Sequence, residues 1–137
     1  MFNFINNLNS IELLVFLFFI MIFLHIIADY IVQNNFMATY KQKKNWEEYT
    51  KEGKYIHDYK IILLVHAFSW SFITFFPILI YTQSVRFWIG VILLNTIFHA
   101  VIDDSKCNDL SIDLVIDQIL HIGQIIVSLI MAFFMAL

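Results

Sequence analysis

His99-Ala100-Val101-Ile102-Asp103-Asp104-Ser105-Lys106, followed after a short polar connection by Asp117-Gln118-Ile119-Leu120-His121, decides how this chain is read. A His precedes an Asp by four residues, and after the turn an Asp precedes a His by four. If both flanks are helical, residues four apart lie one turn apart on one face. The flanks then mirror each other across the loop. Each sets its Asp nearer the water and its His about 6 Å deeper, one helical turn.

The composition around this turn is that of a membrane protein. Of 137 residues, 61% are hydrophobic, 18% aromatic and only 14% charged, against about 25% charged in soluble domains. With three Gly and one Pro, there is little turn chemistry for an all-β fold. A spanning helix needs about 20 mostly apolar residues. Segments 11–33, 60–82, 86–104 and 113–136 approach or meet that length. The expected fold is therefore all-α: one transmembrane domain over 1–137, a four-helix bundle with a short interfacial helix or loop at 34–59. The first segment has no preceding Lys or Arg and no small-residue cleavage site after it, so it is expected to be retained rather than cleaved as a signal. Ser10 is a candidate cap for it. The single cysteine, Cys107, excludes an intramolecular disulfide and a cysteine-rich metal cluster.

Residues 34–59 carry Lys41, Lys43, Lys44, Lys51 and Lys54, interleaved with Trp46, Tyr49, Tyr55 and the acids Glu47, Glu48 and Glu52. Aromatics at the headgroups and lysines towards anionic lipid suit an interfacial segment, with Gly53 as its expected end. Pro77 marks a kink or stop near the far end of the second span. The very short link at 81–85 makes the second and third spans antiparallel neighbours, with Trp88 a candidate interfacial anchor. The connections 34–60 and 105–112 hold seven of the eight Lys and Arg residues. The positive-inside rule puts both connections in the cytoplasm and both termini outside. The expected location is the inner (plasma) membrane.

On that topology His25 comes late in the first span, His66 early in the second, His99 late in the third and His121 early in the fourth. All four reach one depth near the lysine-bearing face. Asp29, Asp103 and Asp117 each sit one turn nearer the water. His25/Asp29 repeats the spacing of His99/Asp103, which is compatible with a two-hairpin duplication. An ionised Asp at a helix centre costs about 2.5–3.5 kcal/mol on insertion scales. No Lys or Arg lies within the apolar spans to neutralise these acids, and Lys106 at the rim is the nearest cation. A divalent metal would neutralise them and use neutral imidazoles as ligands; protonated His or protonated Asp is the alternative.

His25, Asp29, His66, His99, Asp103, Asp117 and His121 are the candidate ligands. Nitrogen and carboxylate without sulfur suits zinc first, then manganese, iron or nickel. Seven candidates exceed one zinc sphere, so one or two ions are expected, with the remainder as outer shell and general base. Asp29, Asp103 and Lys106 are the candidate catalytic residues. Gln33, Lys41, Lys44 and Gln118 are candidates for orienting ligands or substrate. Against this stands the bland reading: a lone His in a membrane helix most often makes interhelical hydrogen bonds. Asp104, Asp109 and Asp113 read as solvated loop or helix-start acids, and Asn95 and Thr96 as interhelical glue.

The motifs His25-x-x-x-Asp29-Tyr-x-x-Gln33, a loop Lys (Lys41 or Lys44), His66, His99-x-x-x-Asp103-x-x-Lys106 and Asp117-Gln118-x-x-His121 together resemble a family of small bacterial and phage inner-membrane proteins catalogued only as a domain of unknown function. The resemblance runs from about Leu24 to His121. It implies a compact helical membrane protein marked at these His, Asp, Gln and Lys positions, and it implies no activity. The residues themselves suggest a cytoplasm-facing metal-dependent hydrolase acting on a phosphoester, either a lipid headgroup or a nucleotide. One alternative is a metal-ion or proton translocator. The other is a non-enzymatic membrane interaction or regulatory protein, for example in phage exclusion, whose polar layer only locks the bundle. Membrane lipid is the expected partner, a homo-oligomer is compatible with so small a bundle, and no nucleic acid is expected.

Overall fold

The computed structural model describes residues 9–47, 55 and 57–136. The expectations for Tyr49, Lys51, Lys54, the acids Glu48 and Glu52, and the Gly53 stop lie outside the described residues.

Among those residues the fold is all-helical. Helix α1 (Ser10–Ile27) is started by Asn9, not by Ser10. The Asn9 side chain accepts from the backbone N–H of Ile11 and Glu12 at 3.1 and 2.9 Å, and the Glu12 carboxylate accepts from the Asn9 N–H at 2.9 Å. This capping box satisfies the free amides at the helix start. The helix does not end as an α-helix. It widens into a π turn, Ala28–Val32, closed by the Gln33 N–H to Ala28 carbonyl bond at 3.2 Å. The segment expected at 34–59 contains two short helices, α2 (Asn35–Tyr40) and α3 (Lys44–Glu47).

The second apolar segment is broken. Helices α4 (Asp58–Thr74) and α5 (Phe76–Thr82) meet at Phe75 with a bend of 40°. Pro77 is in the first turn of α5, where its missing N–H costs least. The Phe75 carbonyl at the break accepts from the Trp88 indole at 3.0 Å. Trp88 thus ties α6 to the bend. Helix α6 (Val85–Cys107) starts at Ser84 and outlasts the expected 86–104 by three residues, and α7 (Leu114–Ala136) follows. The carboxylate of Asp113 accepts from the Ile116 N–H at 2.8 Å and caps α7, the helix-start role expected for it.

Three helical stretches (Ser10–Val32, α6 and α7) are long and apolar enough to cross a membrane, and the bent pair α4–α5 passes the same test jointly. Twenty-three helical residues span about 34 Å, against a hydrocarbon core of about 30 Å. Large apolar side chains face outward along all of them: Phe19, Ile31, Ile97, Val115 and Phe134 are each more than half exposed. In water such a surface would be an aggregation hazard. In lipid it is the solvated side.

Inside, Met21, Trp70, Phe75, Ile78, Val91 and Ile125 form the apolar core. Ala67 and Ala100, packed with Leu63 in a smaller cluster, are small residues of the kind that let backbones approach closely. Asn95 crosses to α7, donating to the Ser128 hydroxyl at 2.9 Å, as interhelical glue does. Thr96 instead donates to the Ile92 carbonyl of its own helix at 2.8 Å.

Candidate metal centre

The π turn aims the first acid. Its extra residue per turn rotates Asp29 so that one carboxylate oxygen faces the His25 ring at 3.6 Å and the other faces His66 on α4 at 3.8 Å. Turns of this kind recur at functional sites. Helices α4, α6 and α7 bring His66, His99 and His121 to the same layer, all three almost fully buried.

Asp103 is the hub. Its Oδ2 lies 3.4 Å from His66 Nε2, and its Oδ1 lies 3.8 Å from His99 Nε2 and 3.6 Å from His121 Nε2. His66 Nε2 and His99 Nε2 are 3.3 Å apart, and His121 Nε2 is 3.4 Å from Asp117 Oδ1. Two sets of three offer ligand atoms close enough to share an ion: Asp29, His66 and His99, and His99, Asp103 and His121. Ligands bonded at about 2.0–2.1 Å in a tetrahedron stand ~3.3 Å from one another. The observed separations start at that value. Asp29 Oδ1, Asp117 Oδ1, His99 Nδ1 and His121 Nε2 are buried without a hydrogen-bond partner. Buried polar atoms are rarely left so.

His25 plays a different part from the ligand expected. The Trp70 indole donates to its Nδ1 at 2.8 Å, and its Nε2 meets Gln118 Oε1 at 3.1 Å. Indole N–H only donates. Nδ1 is therefore the acceptor, and the proton on Nε2 is donated to Gln118. Gln118 Nε2 donates in turn to Asp117 Oδ2 at 2.9 Å. Both nitrogens of His25 are engaged, and it belongs to neither ligand set. It fixes Gln118, and through it Asp117.

The expectation that no cation accompanies the buried acids is overturned. Lys41 follows α2 and turns inward, only 9% exposed, to donate to Asp103 Oδ2 at 2.6 Å. The amide of Gln33, in the orientation that satisfies both its ends, accepts from the Lys41 ammonium at 2.9 Å and donates to the Asp29 carbonyl at 3.1 Å. Asn108 holds this strap from the far side. It accepts from the Lys43 N–H at 2.8 Å and donates to the Lys41 carbonyl at 3.3 Å and to Asp104 at 2.6 Å. Of the two loop lysines, Lys41 is the one in the site; Lys44 sits on α3, exposed. Lys106 pairs across the turn with Asp117 Oδ2 at 2.6 Å, not with Asp103.

Above the layer is a cavity of about 150 Å³ lined by Asp29, Tyr30, Gln33, Lys41, Asp103, Lys106, Leu114, Asp117 and Gln118. With every carboxylate ionised and the neighbouring imidazoles neutral, its three carboxylates and two ammonium groups sum to one negative charge, which suits a cation.

Trp70 was missed in the sequence. It is fully buried and stacks on His99 at 4.2 Å, while His99 stacks on His121 at 4.3 Å. Its signal was its position four residues after His66, the same spacing that links His25, His99 and His121 each to an Asp.

Comparison with known proteins bears on this layer. The family model described as "Protein of unknown function (DUF3307)" matches residues 17–137, nearly the whole chain. The match takes in every residue of the site. No curated protein and no solved structure matches.

Proposed function

We propose, for a chain that belongs to this DUF3307 family, that the His/Asp layer is a divalent-metal centre and that the protein is a membrane-embedded metal-dependent hydrolase. The observation that carries the reading is the convergence of three His Nε2 atoms on Asp103, at ligand–ligand distances and with polar atoms unpartnered, beneath a polar cavity. His99, Asp103 and His121, one of the two sets whose ligand atoms could share an ion, are the ligands, and zinc is the first candidate. A bound divalent ion would turn the cavity's single negative charge into a single positive one. That favours an anionic substrate, a phosphoester of a lipid headgroup or a nucleotide. The ion would polarise the phosphoryl oxygen and acidify a bound water. Asp29, whose Oδ1 is unpartnered at the cavity, would accept the proton of the attacking water. Lys106 and Gln118 also line the cavity and would orient the anion. In this reading the chain is a four-span bundle in the inner membrane, with both termini outside and the lysine-bearing face cytoplasmic.

The test is zinc-dependent hydrolysis of phosphodiester substrates by the purified protein. Asp29→Asn should lower kcat by about 10²–10⁴-fold, the usual worth of a general base. Zinc-loaded protein inactive on lipid and nucleotide phosphoesters alike would remove the hydrolase reading.

One observation favours a translocator as the second reading. From His121 a polar string runs deeper: His121 Nδ1 to Gln124 Oε1 at 3.2 Å, Gln124 Nε2 to the Asn95 carbonyl at 3.4 Å, and Asn95 to Ser128. It stops there, and Met131, Ala132 and Met135 follow on α7. Proton or zinc flux in liposomes that is abolished by Asp29→Asn would promote this reading over the first.

A further inference from the structure

The cluster offers two adjoining seats for an ion, and the two share one residue, His99. The nitrogen of His99 that approaches His66 is the same one that approaches Asp103: Nε2 lies 3.3 Å from His66 Nε2 and 3.8 Å from Asp103 Oδ1. A ring nitrogen has one lone pair to give. Paired-metal hydrolytic sites also need ions about 3.5–4 Å apart, commonly bridged by the two oxygens of one carboxylate. Asp103 is the carboxylate between the seats. Its Oδ1 faces His99 and His121, and its Oδ2 is taken by the ammonium of Lys41 at 2.6 Å.

We propose that this centre holds a single divalent ion and that the buried Lys41 ammonium stands in the place of the second. The inference rests on the metal-centre reading above and specifies its charge balance. Lys41 is a positioning residue. It reaches the seat from the strap, whose Lys41 carbonyl and Lys43 amide are held by Asn108. Gln33 holds the ammonium from the other side. The oxygen of Asp103 that could bridge to another ion is thereby pinned, and the remaining oxygen is turned towards His99 and His121. A fixed +1 charge replaces an exchangeable +2 charge, so occupancy of this position does not vary with free metal.

The experiment is zinc stoichiometry on the full chain in detergent, by elemental mass spectrometry after removal of loosely held metal. Cobalt substitution supplements it, because two neighbouring cobalt ions couple magnetically and one does not. Wild type should bind one zinc per chain and show uncoupled cobalt. Lys41→Met frees Asp103 Oδ2 and should raise the ratio towards two, with coupled cobalt. Lys41→Arg keeps the charge and should stay at one. Two zinc ions in wild type would overturn the inference and leave the metal centre standing. One zinc in both wild type and folded Lys41→Met would overturn the role of Lys41. No zinc in wild type would remove the metal centre itself, and the inference with it. The wild-type ratio and cobalt spectrum decide the occupancy of the second seat even if Lys41→Met does not fold.

Discussion

Each buried polar residue in the layer has a separate duty. Trp70 supplies the donor that sets the His25 tautomer, and it stacks on His99. Trp70→Phe keeps most of the stacking surface and leaves His25 Nδ1 buried without its donor. Such an orphaned acceptor costs about 1–3 kcal/mol. Chemical unfolding in micelles should show a loss of that size, and unchanged stability would mean that the indole N–H does not hold His25. The four-residue spacings made the His/Asp ligand candidates legible in the sequence. His25 shows what spacing leaves open. It lies in the expected layer, yet its nitrogens are taken by a Trp on α4 and a Gln on α7, partners that no local pattern announces. Lys41 is the stronger case. Sequence placed it outside the spans, and only the turn after α2 brings its side chain to Asp103.

At the scale of elements, the apolar runs gave the helices and most of their limits. The departures have local causes. A π turn replaces the last turn of the first span and aims Asp29. No residue type encodes such a turn, so it left no mark in the composition. The break at Phe75 was foreshadowed by Pro77, but its satisfaction by Trp88 was not. The strap at 34–47 is held by Asn108, a residue with nothing to distinguish it in the sequence. Asn108→Ala removes two hydrogen bonds that tie the strap to the turn after α6, each worth about 0.5–1.5 kcal/mol. Hydrogen exchange over residues 35–41 should accelerate at least about tenfold, which is 1.4 kcal/mol of lost protection. Protection equal to wild type would show that the strap is held elsewhere and that Asn108 does not set the reach of Lys41.

The whole molecule is inverted relative to a soluble domain: its outer surface is apolar and its polar residues converge inside. That inversion was legible from composition alone, because 14% charge cannot cover four long helices. The convergence to one layer was legible from topology, because alternating helix direction turns late and early positions into one depth. The charge balance of the layer was not. Two lysines answer two of its three acids, and Asp29 is left to be answered. The central claim is that a divalent ion answers that remainder. The direct measurement is the metal content of the purified wild-type chain and of His99→Gln, by elemental mass spectrometry after zinc loading and washing. The account predicts tightly held zinc in wild type and its loss in folded His99→Gln. Folded wild-type protein that retains no zinc, or a His99→Gln variant that retains as much as wild type, would contradict it.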